Sequence, residues 1–259
     1  MKNKIKHRFW IVANFFGYST GFPLLAPLHH AVALLALHGL GYDNRYGGNL
    51  TGENWFIKKV LPSIGDAACI DIGAHVGNYS AMLAKHVSGP IYAIEPLSSS
   101  FELLRRQTNP RIHPYKLAIT DFDGVAPIYS RKEKGEDSTL RGESIADGAT
   151  VEQIPVSTLD SFVKELGLHN VGFVKIDTEG HEMEVLSGMK HMLKESPPLF
   201  IQFEFNFVHL QQGHTLRSLT KLLPGYDFYR LLSHGMIAID PEKYIDNMFM
   251  YSNFIAKRR

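Results

Sequence analysis

Ala67-Ala68-Cys69-Ile70-Asp71-Ile72-Gly73-Ala74-His75-Val76-Gly77 is the stretch that decides how this chain folds. Ala67–Asp71 is an apolar run of strand length, and the acidic residue comes last. Behind it Val76, Tyr79, Met82, Leu83 and Val87 recur at helical spacing. Gly73 lets the chain turn sharply between strand and helix. Gly77 lets the helix begin close to a ligand, whose anionic group can then meet the free backbone N–H groups of the first turn.

Outward from this unit the same alternation repeats. Pro90–Glu95 reads as a second strand, Phe101 and Leu104 mark a helix, Ile112–Ala118 is a third strand and Val171–Asp177 a fourth. Val185, Leu186, Met189, Met192 and Leu193 then outline one long periodic helix. Leu199–Phe205 is a fifth strand, Leu216, Leu219, Leu222 and Leu223 line a further helix, and Tyr226–Leu232 and Met248–Ala256 are strand-like. Short strands separated by helices imply an α/β fold, with a mostly parallel sheet covered by helices on both faces. Val125–Tyr129 and Val151–Val156 interrupt the alternation as a hairpin. The charged segment between them, Arg131–Thr150, is a long loop that is either a solvated linker or a lid. The organisation expected is an N-terminal helical cap over residues 1–60 and a main domain over 61–259, with the hairpin and loop inserted at about 125–156.

Composition narrows the function classes. The 259 residues carry 27 Lys plus Arg against 26 Asp plus Glu, so no whole-protein field attracts nucleic acid and no nucleic-acid partner is expected. The single cysteine, Cys69, is expected to be a buried core residue and suits a reducing compartment, hence a cytoplasmic protein. Lys2, Lys4, Lys6 and Arg8 precede an aromatic, apolar stretch, Phe9–Phe16. The match to a targeting segment is poor, because the apolar run is short and Pro23 and Pro27 follow. A helical cap on the core is the main reading, with a basic, aromatic surface for peripheral membrane contact as its alternative. His29 and His30 diverge by about 100° on a helix and do not suit one metal ion.

Two clusters carry chemistry. Glu95 ends the second strand, where an acidic side chain accepts hydrogen bonds from both hydroxyls of a ribose, each charge-assisted bond being worth about 1.5–3 kcal/mol. A dinucleotide site would require G-x-G-x-x-G, but His75 stands where the middle glycine belongs. That disfavours NAD and favours S-adenosylmethionine, with Asp71 as partner for its positively charged methionine end, directly or through water. The second cluster is Lys175-Ile176-Asp177-Thr178-Glu179-Gly180-His181-Glu182, at the carboxyl edge of the fourth strand, with Glu204 at the end of the fifth. Asp177, Glu179, His181 and Glu204 are candidates to face one cleft, and Asp177 or His181 is the expected base. These four also supply ligand types suited to a divalent metal. Their spacing is not diagnostic, however, and no metal is predicted. His181-Glu182-Met183-Glu184 is not H-E-x-x-H, which excludes a zinc-protease reading.

Asp71–Ser80 (DIGAHVGNYS), Ile91–Pro96 (IYAIEP), Thr158-Leu159-Asp160 and Lys175–Gly188 (KIDTEGHEMEVLSG) together resemble the FkbM-type family of S-adenosylmethionine-dependent methyltransferases. The resemblance covers roughly Tyr42–Ala256. It implies a Rossmann-like class I methyltransferase fold, with a seven-stranded sheet holding one antiparallel strand. It also implies that Asp71, Gly73, His75, Gly77 and Asn78 surround the methionine end, Glu95 and Pro96 the ribose, and Ala118 the adenine, with Glu53 near the cofactor. Where this chain has His75 the family more often has Asn. The implied activity is methylation of a hydroxyl on a sugar of a glycan, glycolipid or nucleotide sugar, or on a secondary metabolite, so the expected partner is a small-molecule or glycan acceptor. An NAD(P)-dependent oxidoreductase and a non-catalytic protein that kept the fold are the competing readings.

Overall fold

The computed structural model describes residues 2–45, 49–130, 138–139 and 150–259. The chain divides into two compact units, Met1–Asp43 and Asn44–Arg259. The first holds helices α1 (Lys2–Tyr18) and α2 (Ala26–Gly39). The second begins with α3 (Glu53–Lys59), which buries Phe56 and Ile57 in the main core. The division therefore falls ahead of α3, rather than near residue 60.

The elements of the second unit then follow in order: β1 (Ala68–Ile72), α4 (Asn78–His86), β2 (Ile91–Ile94), α5 (Ser98–Leu104), β3 (Ile112–Tyr115), β4 (Ala118–Thr120), β5 (Gly124–Ser130), β6 (Ser138–Thr139), β7 (Thr150–Thr158), α6 (Leu159–Glu165) and β8 (Val171–Ile176). The remainder is α7 (Glu182–Ser187), α8 (Lys190–Glu195), β9 (Phe200–Phe205), α9 (Phe207–Gln211), α10 (Leu216–Thr220), β10 (Tyr226–Leu232), β11 (Gly235–Ala238) and β12 (Ser252–Arg258).

The main sheet has the order β11-β10-β12-β9-β8-β1-β2-β3. β12 pairs antiparallel with both β9 and β10, while β1, β2, β3, β8 and β9 pair in parallel. This is the α/β sheet with a single reversed internal strand that the resemblance implied. It carries one further edge strand, β11, added by a hairpin after β10. Because β2 and β3 extend from one side of β1 while β8 and β9 extend from the other, the order reverses between β1 and β8. Ligands of open α/β sheets bind at the carboxyl ends of strands at such a switch point.

Side-chain alternation separates the two faces. Ile70 and Ile72 of β1 join Val174, Ile176, Ile201 and Phe203 beneath α6, α7, α8 and α10. Cys69, Phe173 and Phe200 form the opposite face against α3 and α4. Phe56 of α3 meets Phe200 edge-on, with ring centroids 5.5 Å apart. Cys69 is fully buried as expected, and burial pushes its thiol up to about 12, so it packs rather than reacts.

Two elements differ from the sequence reading for local reasons. The third strand stops at Tyr115, and Ala118–Thr120 joins a separate sheet of order β4-β7-β5-β6. Pro114 lacks an N–H donor, which suits β3 to the sheet edge, and the chain leaves the main sheet there. The hairpin pairs as expected, with Val125 opposite Pro155 and Tyr129 opposite Val151. Most of the Arg131–Thr150 loop lies outside the described residues. The long periodic helix is instead two helices, α7 and α8. At Gly188 an added Cβ would fall 2.1 Å from the Thr120 carbonyl oxygen, so only glycine fits where α7 ends beside β4. Asp160 secures the break: its N–H donates to Gly188 O at 3.0 Å, and its carboxylate accepts from the backbone N–H groups of His191 and Met192 at 2.7 and 2.8 Å. No helix among the described residues is long and apolar enough to cross a membrane.

Candidate active site

The site grows from the sheet's own periodicity. On the face covered by α3 and α4, Cys69, Phe173 and Phe200 are apolar. Two residues further along each strand stand Asp71, Lys175 and Gln202, side by side across β1, β8 and β9. All three are buried. Lys175 Nζ lies 3.6 Å from Asp71 Oδ1 and donates to Asp177 Oδ2 at 2.8 Å, with the Tyr79 ring 4.6 Å away. Burial opposes the ammonium, but Asp177, Asp71 and Glu53 outweigh it and hold Lys175 above the usual lysine range. Tyr79 donates its hydroxyl to Gln202 Oε1 at 2.7 Å. Gln202 Nε2 in turn donates to Glu53 Oε1 at 2.8 Å.

The loop between β1 and α4 sits above this row. Gly73, His75 and Gly77 have φ of 80°, 50° and 86°, so three alternate residues occupy the left-handed region. A Cβ on Gly73 would lie 1.8 Å from Asp177 O, which shows how closely the first loop presses on the segment leaving β8. α4 starts without a side-chain cap, so its first N–H groups are available to an anionic group. Asn78 is exposed at that end.

The sequence-chosen residues on this side take distinct places. Glu95 Oε2 accepts from the backbone N–H of His75 at 2.9 Å, and Oε1 from that of Leu97 at 3.0 Å. Burial pushes the Glu95 carboxyl up, and these two bonds pull against it. The carboxylate thus clamps the loop, while its remaining lone pairs stay available to a ligand hydroxyl. Pro96 is half-buried beside it. Asp71 lies beneath the loop. It is fully buried, Oδ2 accepts from Ser80 Oγ at 2.6 Å, and burial pushes its carboxyl up against the pull of Lys175 and Ser80. Ala118 packs with Leu97 in a small cluster built on β4, β5 and β7. Glu53 is tied to Gln202 and to Thr51, whose hydroxyl donates to Glu53 Oε2 at 3.1 Å.

On the other side of the switch point three carboxylates converge. Asp177 and Glu179 follow β8, and Glu204 lies near the end of β9. Burial pushes the Glu204 carboxyl well up, and the neighbouring charges of Asp177, Glu179 and Glu182 push it further, against one hydrogen bond from the Asn206 side chain. Glu179 has φ of 53°, an unusual conformation for a side chain other than glycine. The next residue, Gly180, has φ of 97°, and a Cβ there would fall 2.6 Å from Val208 Cγ1.

His181 is the candidate that turns elsewhere. Its Nε2 bonds Thr120 Oγ1 at 2.9 Å, and its Nδ1 lies 3.5 Å from Glu184 Oε2. Both ring nitrogens therefore have neighbours on β4 and α7, and His181 anchors the loop. Among the described residues no three His, Cys, Asp or Glu side chains are grouped so as to hold a metal ion.

Two contributors were missed in the sequence. Lys175 is one, and a lysine inside a strand buried at all six positions is itself a signal. Glu182 and His209 form a buried pair at 2.8 Å. Glu182 Oε1 accepts from the Thr178 N–H at 2.9 Å, and His209 Nδ1 accepts from the Asn206 N–H at 3.2 Å. The pair joins the loop after β8 to the loop after β9. No sequence spacing could reveal it, because the residues meet only once the two strands are neighbours.

The sequence matches the methyltransferase FkbM domain over residues 71–232. It is similar to the hexuronic acid methyltransferase AglP of Haloferax volcanii, at 23% identity over 181 residues covering 68% of this chain and 69% of that protein. It is likewise similar to the 2-O-methyltransferase NoeI of Sinorhizobium fredii, at 23% identity over 188 residues covering 66% and 76%. Among solved structures, the O-methyltransferase from Bacillus cereus in complex with SAH aligns with a TM-score of 0.46 at 12% identity, covering 93% of this chain and 96% of that one.

Proposed function

Because this chain belongs to the FkbM methyltransferase domain family, we propose that it transfers a methyl group from S-adenosylmethionine to a hydroxyl oxygen of a sugar. The observation that carries this reading is the division of labour across the switch point. A glycine loop clamped by Glu95 lies on one side and a crowded carboxylate cluster on the other. The names of the two relatives, a hexuronic acid methyltransferase and a 2-O-methyltransferase, favour a sugar acceptor over other hydroxylated metabolites.

The residues present fit the cofactor. The uncapped start of α4 offers N–H groups to its carboxylate, with Gly73, His75, Gly77 and Asn78 around the methionine end. Glu95 holds the ribose hydroxyls with Pro96 beside it, and Ala118 borders the adenine. When bound, S-adenosylmethionine supplies an electrophilic methyl carbon on a sulfonium. The protein's task is then alignment and one proton. Alignment of a hydroxyl oxygen for in-line attack can supply up to roughly 7–11 kcal/mol of the barrier.

The hydroxyl proton passes to Glu204. Lys175 occupies one oxygen of Asp177, whereas Glu204 has carboxylates around it that raise its proton affinity. Asp177 and Glu179 hold neighbouring sugar hydroxyls. His181, expected as a base, has a positioning role through Thr120. Calorimetry with S-adenosylmethionine and its demethylated product, followed by transfer of labelled methyl to uronic-acid-containing glycans, tests the reading. Binding weakened by Glu95→Ala and label in the sugar ether support it. No binding, or label on a non-sugar acceptor only, overturns it.

A further inference from the structure

The N-terminal unit places its apolar residues in an unusual way. In α1, Phe9, Trp10, Ile11 and Val12 are 65%, 61%, 58% and 57% exposed. Successive helical positions are turned by about 100°, so four in a row point all round the helix. α2 buries none of its residues, and leaves Leu28 and Leu35 exposed. The two helices are joined within the unit by Ser19 Oγ and His29 Nε2 at 2.9 Å, and by the Phe16 and His29 rings at 5.5 Å.

Charge decides what surrounds them. Lys2, Lys4, Lys6 and Arg8 open the sequence, and no Asp or Glu occurs before Asp43. A docking protein covers one face of a helix, whereas a lipid phase surrounds it. A second copy would bring the same four cations together. An anionic lipid headgroup layer complements them, with aromatic side chains at the interfacial level. The 17 residues of α1 span about 25 Å, short of the roughly 30 Å hydrocarbon core. We propose that residues 2–39 form an interfacial anchor that seats in one anionic leaflet of a lipid bilayer without crossing it.

The full chain carrying Trp55→Phe keeps Trp10 as its sole tryptophan reporter. It is floated with vesicles of phosphatidylcholine alone, and of phosphatidylcholine with roughly one third phosphatidylglycerol. The expected result is at least about tenfold more protein on the anionic vesicles, a blue shift of Trp10 emission there, and release at about 0.5 M salt. Lys2→Glu/Lys4→Glu/Lys6→Glu abolishes the preference for anionic vesicles. Phe9→Ser/Trp10→Ser in the otherwise native chain abolishes flotation, with an unchanged circular dichroism spectrum marking the rest as folded. Failure to float, equal flotation with both vesicles, or a Trp10 blue shift in a lipid-free oligomer overturns the proposal.

Discussion

The two halves of the sheet's carboxyl edge treat their carboxylates in opposite ways. On the β1–β2 side, Glu95 is clamped by two backbone N–H groups and Asp71 by the Ser80 hydroxyl. On the β8–β9 side, Glu204 is pushed up by burial and by three other acidic residues, with a single side-chain amide in compensation. In the first half burial pushes both carboxyls up as it does Glu204, but each is compensated, Glu95 by its two backbone bonds and Asp71 by Ser80 and by the Lys175 ammonium 3.6 Å away. The second keeps an unresolved electrostatic conflict, the condition that makes a carboxylate a useful base near neutral pH. A binding surface benefits from satisfied groups, whereas proton transfer needs one that is not.

The contrast can be broken from either side. Glu204→Gln removes the proposed proton acceptor, and kcat is expected to fall by about 10²–10⁴-fold. In the unmodified enzyme activity should rise with pH through the raised range of Glu204, since only the deprotonated form accepts a proton. The variant's profile should be flat there, and an unchanged rise would transfer the role to another group. Steady-state rates across pH decide this.

The brace beneath the acceptor half is expected to matter next. Burial pushes Glu182 up, but the hydrogen bonds from His209 and from the Thr178 N–H outweigh it and hold the carboxyl below the ordinary glutamate range. Its contribution to stability is therefore present above that range and lost as pH falls through it. His209→Ala leaves the carboxylate buried without its partner and should cost about 3–5 kcal/mol in urea unfolding at neutral pH. The difference from the parent should narrow in acid.

On the compensated side, Glu95→Gln should weaken S-adenosylmethionine by about 10–100-fold in calorimetry, corresponding to one charge-assisted bond, with smaller effect on kcat at saturation. The smallest effect on stability is expected from the strained residues. His75→Gly and Glu179→Gly each place glycine at a left-handed position and should raise stability by about 0.5–1 kcal/mol in thermal unfolding. Only Glu179→Gly should then lower activity sharply, because the His75 backbone N–H to Glu95 survives its substitution while the Glu179 carboxylate is lost.

Parts of this were legible in the order of residues, because they depend on local geometry. Strand period two, helical spacing and the Gly73–Gly77 turn place Asp71, Glu95, Asp177 and Glu204 at the carboxyl ends of their strands. The burial of Cys69 followed from its apolar neighbours. The split of the helix at Gly188 was not legible, since nothing nearby in sequence announces Asp160, whose N–H and carboxylate take the backbone groups on both sides of the break. The partners of His181 and Asp71 were also hidden. A side chain's type states what it can do, but its partners, Thr120 for one and Ser80 with Lys175 for the other, decide what it does.

By itself, then, the sequence determined the α/β alternation, the residue types set at the switch point and the basic, acid-free start of the chain. Only the tertiary structure decided which carboxylates are satisfied and which are forced together. It also set Lys175 beneath Asp177 and joined Glu182 to His209 across two strands. The physical reason is one of range. Backbone preference and hydrophobic period act over a few residues. Charge and hydrogen bonding act between neighbours in space, which the strand order alone brings together.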